Sequence, residues 1–282
     1  MLKWMAMLHY RTRRRLFSTL VLIVAYVTLL SPIAFVMIAS FDYGQRAYVV
    51  FPPDRFTLES YWRIPTRYWD SLWISVRVAF LCMLISCAIG IPAAIGIVRS
   101  SLPGKAALLA VFRTPMQIPA VVSGVAFLHL YYLIGPLFGV QLVGSFAGMV
   151  TAHVFAATPY VVGTLVSVLQ RFNYDLEEAA LVLGASRWGT FRQVTLPMLK
   201  PGIFAGALYA FMISFAEVPI SVFLAGSRTV TFPVEVFNSM LFDFEPTILA
   251  ISSIVTVLSL TLVWFAQWAV GLDKFVQVGG TD

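Results

Sequence analysis

Long uncharged stretches alternate with short polar segments along the chain. The stretches cover residues 16–41, 78–98, 114–170, 201–227 (interrupted by Glu217) and 246–272. Each reaches the ~20 apolar residues that a helix needs to cross a bilayer, and the third is long enough to cross twice around the turn-forming segment 135–141. The pattern therefore predicts six transmembrane helices, near residues 17–39, 72–98, 110–133, 142–168, 202–224 and 247–271.

The composition agrees with a membrane protein. Of the 282 residues 60% are hydrophobic and 11% are charged, whereas about a quarter of the residues in a soluble domain are charged. The first apolar stretch exceeds the ~7–15 residues of a signal-peptide core, so we interpret it as an uncleaved span. We predict an all-α integral membrane protein with an N-terminal segment 1–15, a membrane domain 16–272 and a tail 273–282.

The basic residues are distributed unequally between the two sides of these predicted spans. If the N-terminus is cytoplasmic, thirteen Lys and Arg residues lie on the inner side, five lie on the outer side, and Arg77 lies within a span. This satisfies the positive-inside rule and places both termini in the cytoplasm. The net charge of +6 is therefore a topology signal, and we expect no nucleic-acid partner.

Motifs of soluble and intramembrane enzymes are missing from the sequence. The Gly104-Lys105 pair lacks the earlier glycine and the following Ser or Thr of a nucleotide-binding loop. The sequence contains neither H-E-x-x-H nor G-x-S-x-G, and its three histidines are far apart. We therefore expect no ATPase or other enzyme activity in this chain, no cofactor and no metal site.

A polar segment, residues 170–200, separates the fourth and fifth predicted spans. Asp175, Glu177 and Glu178 are typical of a helix start, and the Asp175/Glu178 spacing resembles a capping box. Gly184 is well placed to end a helix of about nine residues. Ser186 then caps a second short helix through Val194, and the Leu196-Pro197 and Lys200-Pro201 pairs are expected to end it before the fifth span.

Both predicted helices of this segment carry apolar surface. Trp188 and Phe191 share one helix face, and residues 181–183 are all apolar. The segment could rest on lipid or could dock another protein. The segment has four basic and three acidic residues, and the acids lie at the start of the first helix. An anionic leaflet would repel such a helix start, which favours docking. The basic residues are Arg171, Arg187, Arg192 and Lys200.

The same segment resembles the EAA loop of ABC-importer permease subunits that work with a solute-binding protein. That loop reads E-A-A-x3-G-x9-I-x-L-P. The sequence has Glu178-Ala179-Ala180, then Gly184, then Val194-Thr195-Leu196-Pro197, with Val194 in place of the usual Ile. The six spans, the predicted side of the loop and its position before the fifth span agree with this resemblance.

The resemblance implies a type I ABC-importer permease fold in a bacterial inner membrane. In that family the EAA loop seats in a groove of a cytoplasmic ATPase dimer, which binds ATP and Mg²⁺. The expected coupling residues are Glu178, Ala179, Ala180, Gly184 and Pro197 of the motif, together with Trp188 and Phe191, whose aromatic area is of the kind that anchors interfaces. The further partners implied are a second permease subunit, expected to be a distinct chain, and an extracytoplasmic solute-binding protein.

Further stretches are most similar to permeases of the spermidine/putrescine type. They include Phe56–Tyr61, Ile118–Gly124, Pro159–Val162 and Pro233–Phe237. The resemblance implies that a polyamine such as spermidine or putrescine is the solute. Ferric iron, a phosphonate or another organic cation remain alternatives, because the binding protein sets most of the selectivity in this family. An ion-coupled secondary transporter would need more charged residues within the membrane than this sequence has.

Glu217 is the one acidic residue within a predicted span. A carboxylate at the membrane centre costs on the order of 3 kcal/mol, so we expect it to face a cavity or a partner. Pro219 should interrupt the helix next to it. The functional hypothesis is that Glu217 lines the pathway of a cationic solute; the alternative is an ion pair, with Arg77 as one candidate, or a hydrogen bond to another span.

Several other polar and small residues carry weaker signals. We interpret His129 and His153 as packing residues, and Cys82 and Cys87 as buried apolar ones. The pairs Gly202/Gly206 and Gly144/Gly148 have the spacing of close helix packing. The outer segment that contains Glu235, Asp243, Glu245 and Arg228 could contact a binding protein or a passing cation, or remain solvated.

Overall fold

The computed structural model describes residues 2–42, 51–101, 103–242, 245 and 247–270, with side chains from residue 17 to residue 265 inside those ranges. All regular secondary structure in these ranges is helical. The helices are α1 (Leu2–Ala39), α2 (Glu59–Trp62), α3 (Thr66–Arg99), α4 (Lys105–Gln117), α5 (Ala120–Phe138), α6 (Phe146–Leu169), α7 (Asp175–Val182), α8 (Arg187–Thr190), a π-turn (Phe191–Thr195), α9 (Leu196–Phe215), α10 (Pro219–Leu224), α11 (Phe232–Phe242) and α12 (Thr247–Val270).

Six helical segments of the described chain are long and apolar enough to cross a bilayer. They are Phe17–Ala39, Thr66–Arg99, Ala120–Phe138, Phe146–Leu169, Arg187–Phe215 and Thr247–Phe265. The predicted all-α fold with six transmembrane helices is thus confirmed. The division into residues 1–15, 16–272 and 273–282 stays a prediction, because the tail and the side chains before residue 17 lie outside the described residues.

The larger of two compact units comprises Thr66–Asn238. Its core is formed where α3, α6 and α9 pack together around buried aliphatic side chains such as Val161 and Leu165. Gly206 lies against the backbone of Val161, and a Cβ at Gly202 would come within 2.8 Å of Val168. Small residues allow such close approach of helices in a membrane, where dispersion contacts hold helices together. The predicted close packing at Gly202 and Gly206 is confirmed.

The other compact unit combines the chain up to Pro65 with Ser239–Phe265. Within it, the Tyr61 hydroxyl lies 2.7 Å from Ser40 Oγ and 2.8 Å from Ser253 Oγ, and Ser60 Oγ donates to the carbonyl of Asp42. These hydrogen bonds join α2 to the residues that directly follow α1 and to α12. Hydrogen bonds are directional, whereas apolar contacts are not. Such a polar cluster therefore fixes the relative position of apolar helices more closely than their hydrophobic surfaces alone.

The third span begins later than the sequence pattern indicated. The structure places residues 105–117 in the separate helix α4, and the span proper, α5, begins at Ala120 instead of near residue 110. Ile118 is extended, with ψ of 129°, because the residue before a proline avoids the helical region. Pro119 then forms the N-cap of α5. An uncharged run alone could not show this break.

The fifth span also differs from its prediction of residues 202–224. Helical structure is continuous from Arg187 to Phe215, so neither Pro197 nor Pro201 ends the second helix of the polar segment. Pro197 occupies the first turn of α9, directly after the π-turn. Prolines are tolerated inside membrane helices where a local π adjustment takes up the freed backbone groups. The second helix of the polar segment and the fifth span therefore form one continuous helical rod.

The Gly144/Gly148 pair does not mediate helix packing, which corrects the prediction. Gly144 lies before α6 with φ of 75°, and its N–H donates to the carbonyl of Leu224. Gly148 lies in the first turn of α6, against the carbonyl of Leu142. Both glycines instead hold the loop between α5 and α6 in a tight backbone arrangement.

Candidate coupling segment and intramembrane polar residues

The first helix of the polar segment, α7, starts slightly differently from the predicted capping box. Asn173 Oδ1 accepts the Asp175 N–H at 3.0 Å, and Tyr174 occupies the N-cap position without a side-chain cap. Asp175 is therefore the first helical residue, and all three acids lie in the first turn, where the helix dipole favours negative charge. The expected length is nearly right, since α7 has 8 residues.

Gly184 ends α7 in the way the sequence indicated. Its φ is +89°, a left-handed conformation that side chains with a Cβ rarely adopt. The Ala185 N–H donates to the Ala180 carbonyl and the Gly184 N–H donates to the Leu181 carbonyl, both at 3.0 Å. This pair of hydrogen bonds is a Schellman motif. It gives the turn between the two helices a defined shape.

The second helix of the segment begins at the predicted cap. Ser186 Oγ accepts the Gly189 N–H at 3.1 Å, which caps α8. The rings of Trp188 and Phe191 stack with centroids 5.5 Å apart and an interplanar angle of 23°. The prediction that these two aromatic residues share a face is confirmed.

The exposed surface of the segment is apolar around the Gly184 turn. Val182 and Leu183 are each 87% exposed, and Trp188 is 69% exposed. Sequence reasoning treated Val182 and Leu183 only as additional apolar surface. Their position directly before the helix-ending glycine was the signal that they lie at the tip of the turn. Among the other predicted coupling residues, Ala180 and Phe191 are partly buried. The rest are exposed: Glu178, Ala179, Gly184 and Pro197.

Glu177 differs from its two acidic neighbours because its side chain turns towards the spans. Its Oε1 accepts a hydrogen bond from Arg99 Nη2 at 2.6 Å and another from the Thr195 hydroxyl. Arg99 is the last residue of α3, and Thr195 ends the π-turn. Sequence reasoning missed this cluster, which joins residues far apart in the chain.

Glu217 lies in a short non-helical break between α9 and α10. Its Oε1 accepts the Ile220 N–H at 2.8 Å, so the carboxylate caps α10, and its side chain is partly buried. Arg77 instead lies over the rings of Trp73 and Phe146, at 5.8 Å from each centroid. In the part of the chain that the structure describes, Glu217 has no ion pair. The predicted interruption is present, but Pro219 begins α10 and the break precedes it.

His153 connects the two sides of this break. The ring is 1% exposed, with Nδ1 2.8 Å from Ser214 Oγ of α9 and Nε2 2.9 Å from Ser221 Oγ of α10. A neutral imidazole donates from one nitrogen and accepts at the other, so both serines suit it. The prediction of a packing role is confirmed for His153, while His129 is exposed.

Replacing His153 by Leu should destabilise the protein by about 2–4 kcal/mol, because two buried hydroxyls lose their partner at once. The measurement is the thermal unfolding midpoint of the purified protein in detergent. Ser214→Ala and Ser221→Ala each remove only one of the two hydrogen bonds of His153 and should cost less than His153→Leu. An unfolding midpoint for His153→Leu equal to that of the unaltered protein would contradict the packing role.

An open groove of about 440 Å³ runs between α4 and α6. Arg113 and Gln117 line it from α4, and Tyr160, Thr164 and Ser167 line it from α6. In the described part of the chain Arg113 has no ion pair or hydrogen bond. The groove is therefore lined by one cation, three hydroxyl groups and one amide.

The arrangement of these helices matches known transport proteins. The family described as "Binding-protein-dependent transport system inner membrane component" matches residues 86–270. A bacterial ABC transporter involved in the import of alginate has a chain with a TM-score of 0.67 and 16% identity, and the match covers 92% of this chain and 95% of that one. At this identity the likeness shows the fold alone.

Curated relatives carry different solutes in their names. The spermidine/putrescine transport system permease protein PotC of Haemophilus influenzae is 32% identical over 68% of this chain and 73% of its own length. A probable molybdenum ABC transporter permease of Haloferax volcanii is 36% identical over 59% of this chain and 62% of its own length. The sulfate transport system permease protein CysT of Escherichia coli is 30% identical over 68% of this chain and 72% of its own length. The chain belongs to the binding-protein-dependent inner-membrane transport family and is a multi-pass permease subunit of an ABC importer.

Proposed function

We propose that residues 170–200 of this permease form the docking site of a cytoplasmic ATPase dimer, whose hydrolysis of Mg²⁺-bound ATP supplies the energy for import. The observation that carries the proposal is the group of Val182, Leu183 and Trp188, which are the most exposed large apolar side chains of the segment. Large exposed apolar groups rimmed by polar residues mark contact sites. The Schellman turn at Gly184 holds this group in one shape before a partner arrives, which lowers the entropy cost of binding.

A lipid surface is the competing partner for the same group. Helices that lie on membranes present a long apolar face bordered by Lys and Arg. Here α7 has only 8 residues, and its first turn carries three acids. An anionic leaflet would repel this turn, whereas a protein groove with basic residues would attract it. These features support the ATPase as the partner.

We propose that a second, similar but distinct permease chain completes the pathway, and that an extracytoplasmic binding protein delivers the solute. The description of the family as binding-protein-dependent supports the extracytoplasmic binding protein as a partner. The additional permease chain is supported by the many apolar side chains that are exposed on α5, among them Tyr132 and Leu133. A partner chain would cover such side chains on one face of the helix, and lipid would cover the rest.

We propose a polyamine as the solute. Glu217 supports this, because its carboxylate lies in a break of the fifth span with only one oxygen bound to the Ile220 N–H. A polycation passing this point would compensate a charge that is costly in the membrane. The similarity to a spermidine/putrescine permease supports the same class.

An oxyanion such as sulfate is the second candidate solute. The groove beside Arg113 favours it, because a guanidinium flanked by hydroxyl and amide groups suits a tetrahedral anion. The relatives with sulfate and molybdenum in their names agree with this candidate. The two candidates require opposite charges on the pathway, so one experiment can separate them.

In that experiment the complete transporter is reconstituted in proteoliposomes, and uptake of spermidine and of sulfate is measured with ATP supplied on the side of the polar segment. If a polyamine is the solute, spermidine uptake requires ATP and falls at least about tenfold in Glu217→Gln, since Gln keeps the hydrogen-bond acceptor for Ile220 but loses the charge. Arg113→Gln should leave spermidine uptake within about twofold of normal.

The reverse result would favour the oxyanion: ATP-dependent uptake of sulfate that is lost in Arg113→Gln and retained in Glu217→Gln. Uptake of either solute driven by an ion gradient without ATP would contradict the ATPase proposal itself. Each variant thus serves as the control for the other. Complex assembly, measured by size-exclusion chromatography, should be unchanged in both.

A further inference from the structure

We propose that Glu177, Arg99 and Thr195 form a joint that ties the coupling helix α7 to the second and fifth spans, with Glu177 as a positioning residue for transport. This inference rests on the proposed docking of an ATPase at residues 170–200. It assigns to Glu177 a task different from docking: passing the movement of the seated helix on to the membrane helices.

One oxygen atom makes both connections. Glu177 Oε1 accepts from Arg99 Nη2 at 2.6 Å and from the Thr195 hydroxyl. Arg99 is the last residue of α3, and Thr195, fully buried, is the last residue of the π-turn that continues into α9. A displacement of α7 therefore acts on the ends of two spans through a single carboxylate.

The Arg99 guanidinium is held from a second direction. It lies 5.9 Å from the ring centroids of both Phe172 and Tyr174, which belong to the linker in front of α7. Phe172 is buried, and the side chains of Arg99 and Glu177 are only 28% and 16% exposed. A partly desolvated, charge-assisted pair with aromatic neighbours is stronger and more directional than an exposed one. The joint is therefore stiff on the side of the linker as well.

The rest of α7 offers little other attachment. The helix has no buried residue, and its apolar tip at Val182 and Leu183 points into solvent. Without the Glu177 contacts, this eight-residue helix would be fixed to the spans mainly through its two connecting turns. Movement is transmitted between bodies only when their connection is rigid. The hydrogen-bonded carboxylate of Glu177 provides this rigidity.

The neighbouring acid supplies a matched control. Glu178 is exposed and follows Glu177 directly in the first turn of α7. The two residues have the same charge and lie in the same helical turn, but of the two only Glu177 faces the spans. Glu178 is in the proposed docking surface, so the two variants should fail in different steps.

The test compares Glu177→Gln and Glu178→Gln in the complete transporter reconstituted in proteoliposomes. Three quantities are measured: ATPase retained by the permease in a pull-down, ATP hydrolysis, and solute taken up per ATP hydrolysed. In Glu177→Gln we expect retention and hydrolysis within about twofold of normal and uptake per ATP at least fivefold lower. In Glu178→Gln we expect weaker retention, with uptake per ATP unchanged in the complexes that remain.

Thr195→Val is the second variant, because it leaves the Arg99 pair intact and removes only the link to the fifth span. We expect uptake per ATP to fall here too, and the double variant with Glu177→Gln to be no worse than Glu177→Gln alone. This variant also keeps the proposal testable if Glu177→Gln fails to assemble. An unchanged uptake per ATP in Thr195→Val would then overturn the joint.

Two other outcomes would also overturn the joint. One is a normal uptake per ATP in Glu177→Gln. The other is an equal loss of ATPase retention in Glu177→Gln and Glu178→Gln, which would make Glu177 a docking residue. A failure of the docking proposal is distinguishable from both, because the unaltered permease would then retain no ATPase at all.

Discussion

Replacing Leu183 by Asp is expected to separate the permease from its ATPase and to abolish uptake, while the permease itself remains folded. Leu183 is 87% exposed, so the change removes almost no packing within the chain. In the assembled complex the same position would bury an unpaired carboxylate in place of an apolar side chain. Loss of a central interface residue costs about 2–4 kcal/mol, which corresponds to a roughly 30- to 1,000-fold weaker affinity.

The measurement for Leu183→Asp is ATPase recovered with the tagged permease in detergent, together with ATP-dependent uptake in proteoliposomes. Gln193→Asp is the matched control, since it places the same charge on an exposed position of the same segment without removing apolar surface. The control should retain the ATPase. Recovery of the ATPase with Leu183→Asp at the level of the unaltered permease would refute the proposed docking site.

Replacing Gly148 by Ala is expected to destabilise the permease by about 2–4 kcal/mol. A Cβ at this position would lie 2.1 Å from the carbonyl oxygen of Leu142 and 2.9 Å from its carbon, and backbone atoms cannot rotate away. Ser145 Oγ accepts the Gly148 N–H and donates to the same Leu142 carbonyl, so the cap of α6 would be displaced as well. Overpacking costs about 1–3 kcal/mol and a lost N-cap about 1 kcal/mol.

The loop around Gly148 has little freedom to relax. The Gly144 N–H donates to the Leu224 carbonyl, and Thr229 Oγ1 donates to the Gly144 carbonyl at 3.1 Å. We expect the unfolding midpoint in detergent to fall by on the order of 5–10 °C. Gly163→Ala, in the same helix but with no atom within 4 Å of its added Cβ, should leave the midpoint unchanged. Equal unfolding midpoints for the two variants would contradict this prediction, because they would show that the loop can move to accommodate the added methyl group.

Local signals account for the accurate parts of the sequence-based description. The Gly184 turn and the Ser186 cap were predictable because each depends on backbone conformation within a few residues. The start of α5 and the continuity of the fifth span were not. At Pro119 a proline ended one helix, whereas at Pro197 and Pro201 the helical rod continued through the adjoining π-turn. The effect of a proline in a membrane helix depends on whether the surrounding helix can adjust.

The three acids at the start of α7 show why the site was only partly predictable. From the sequence, all three were helix-starting charges, the capping box and the EAA motif singled out Glu178, and nothing set Glu177 apart. The structure turns Glu177 towards Arg99, 78 residues earlier in the chain, and leaves Glu178 exposed. No local pattern contains that information, because it depends on how α3 and the π-turn are placed around α7.

By itself, the sequence determined that this protein crosses a membrane six times, that a capped polar segment precedes its fifth span, and which family it resembles. These properties follow from the length of apolar runs, from turn chemistry and from a motif of adjacent residues. Only the tertiary structure decided that Glu177 is tied to two spans, that His153 bridges the break beside Glu217, and that Val182 and Leu183 form the exposed tip. Each of these depends on contacts or exposure that arise when distant helices pack together.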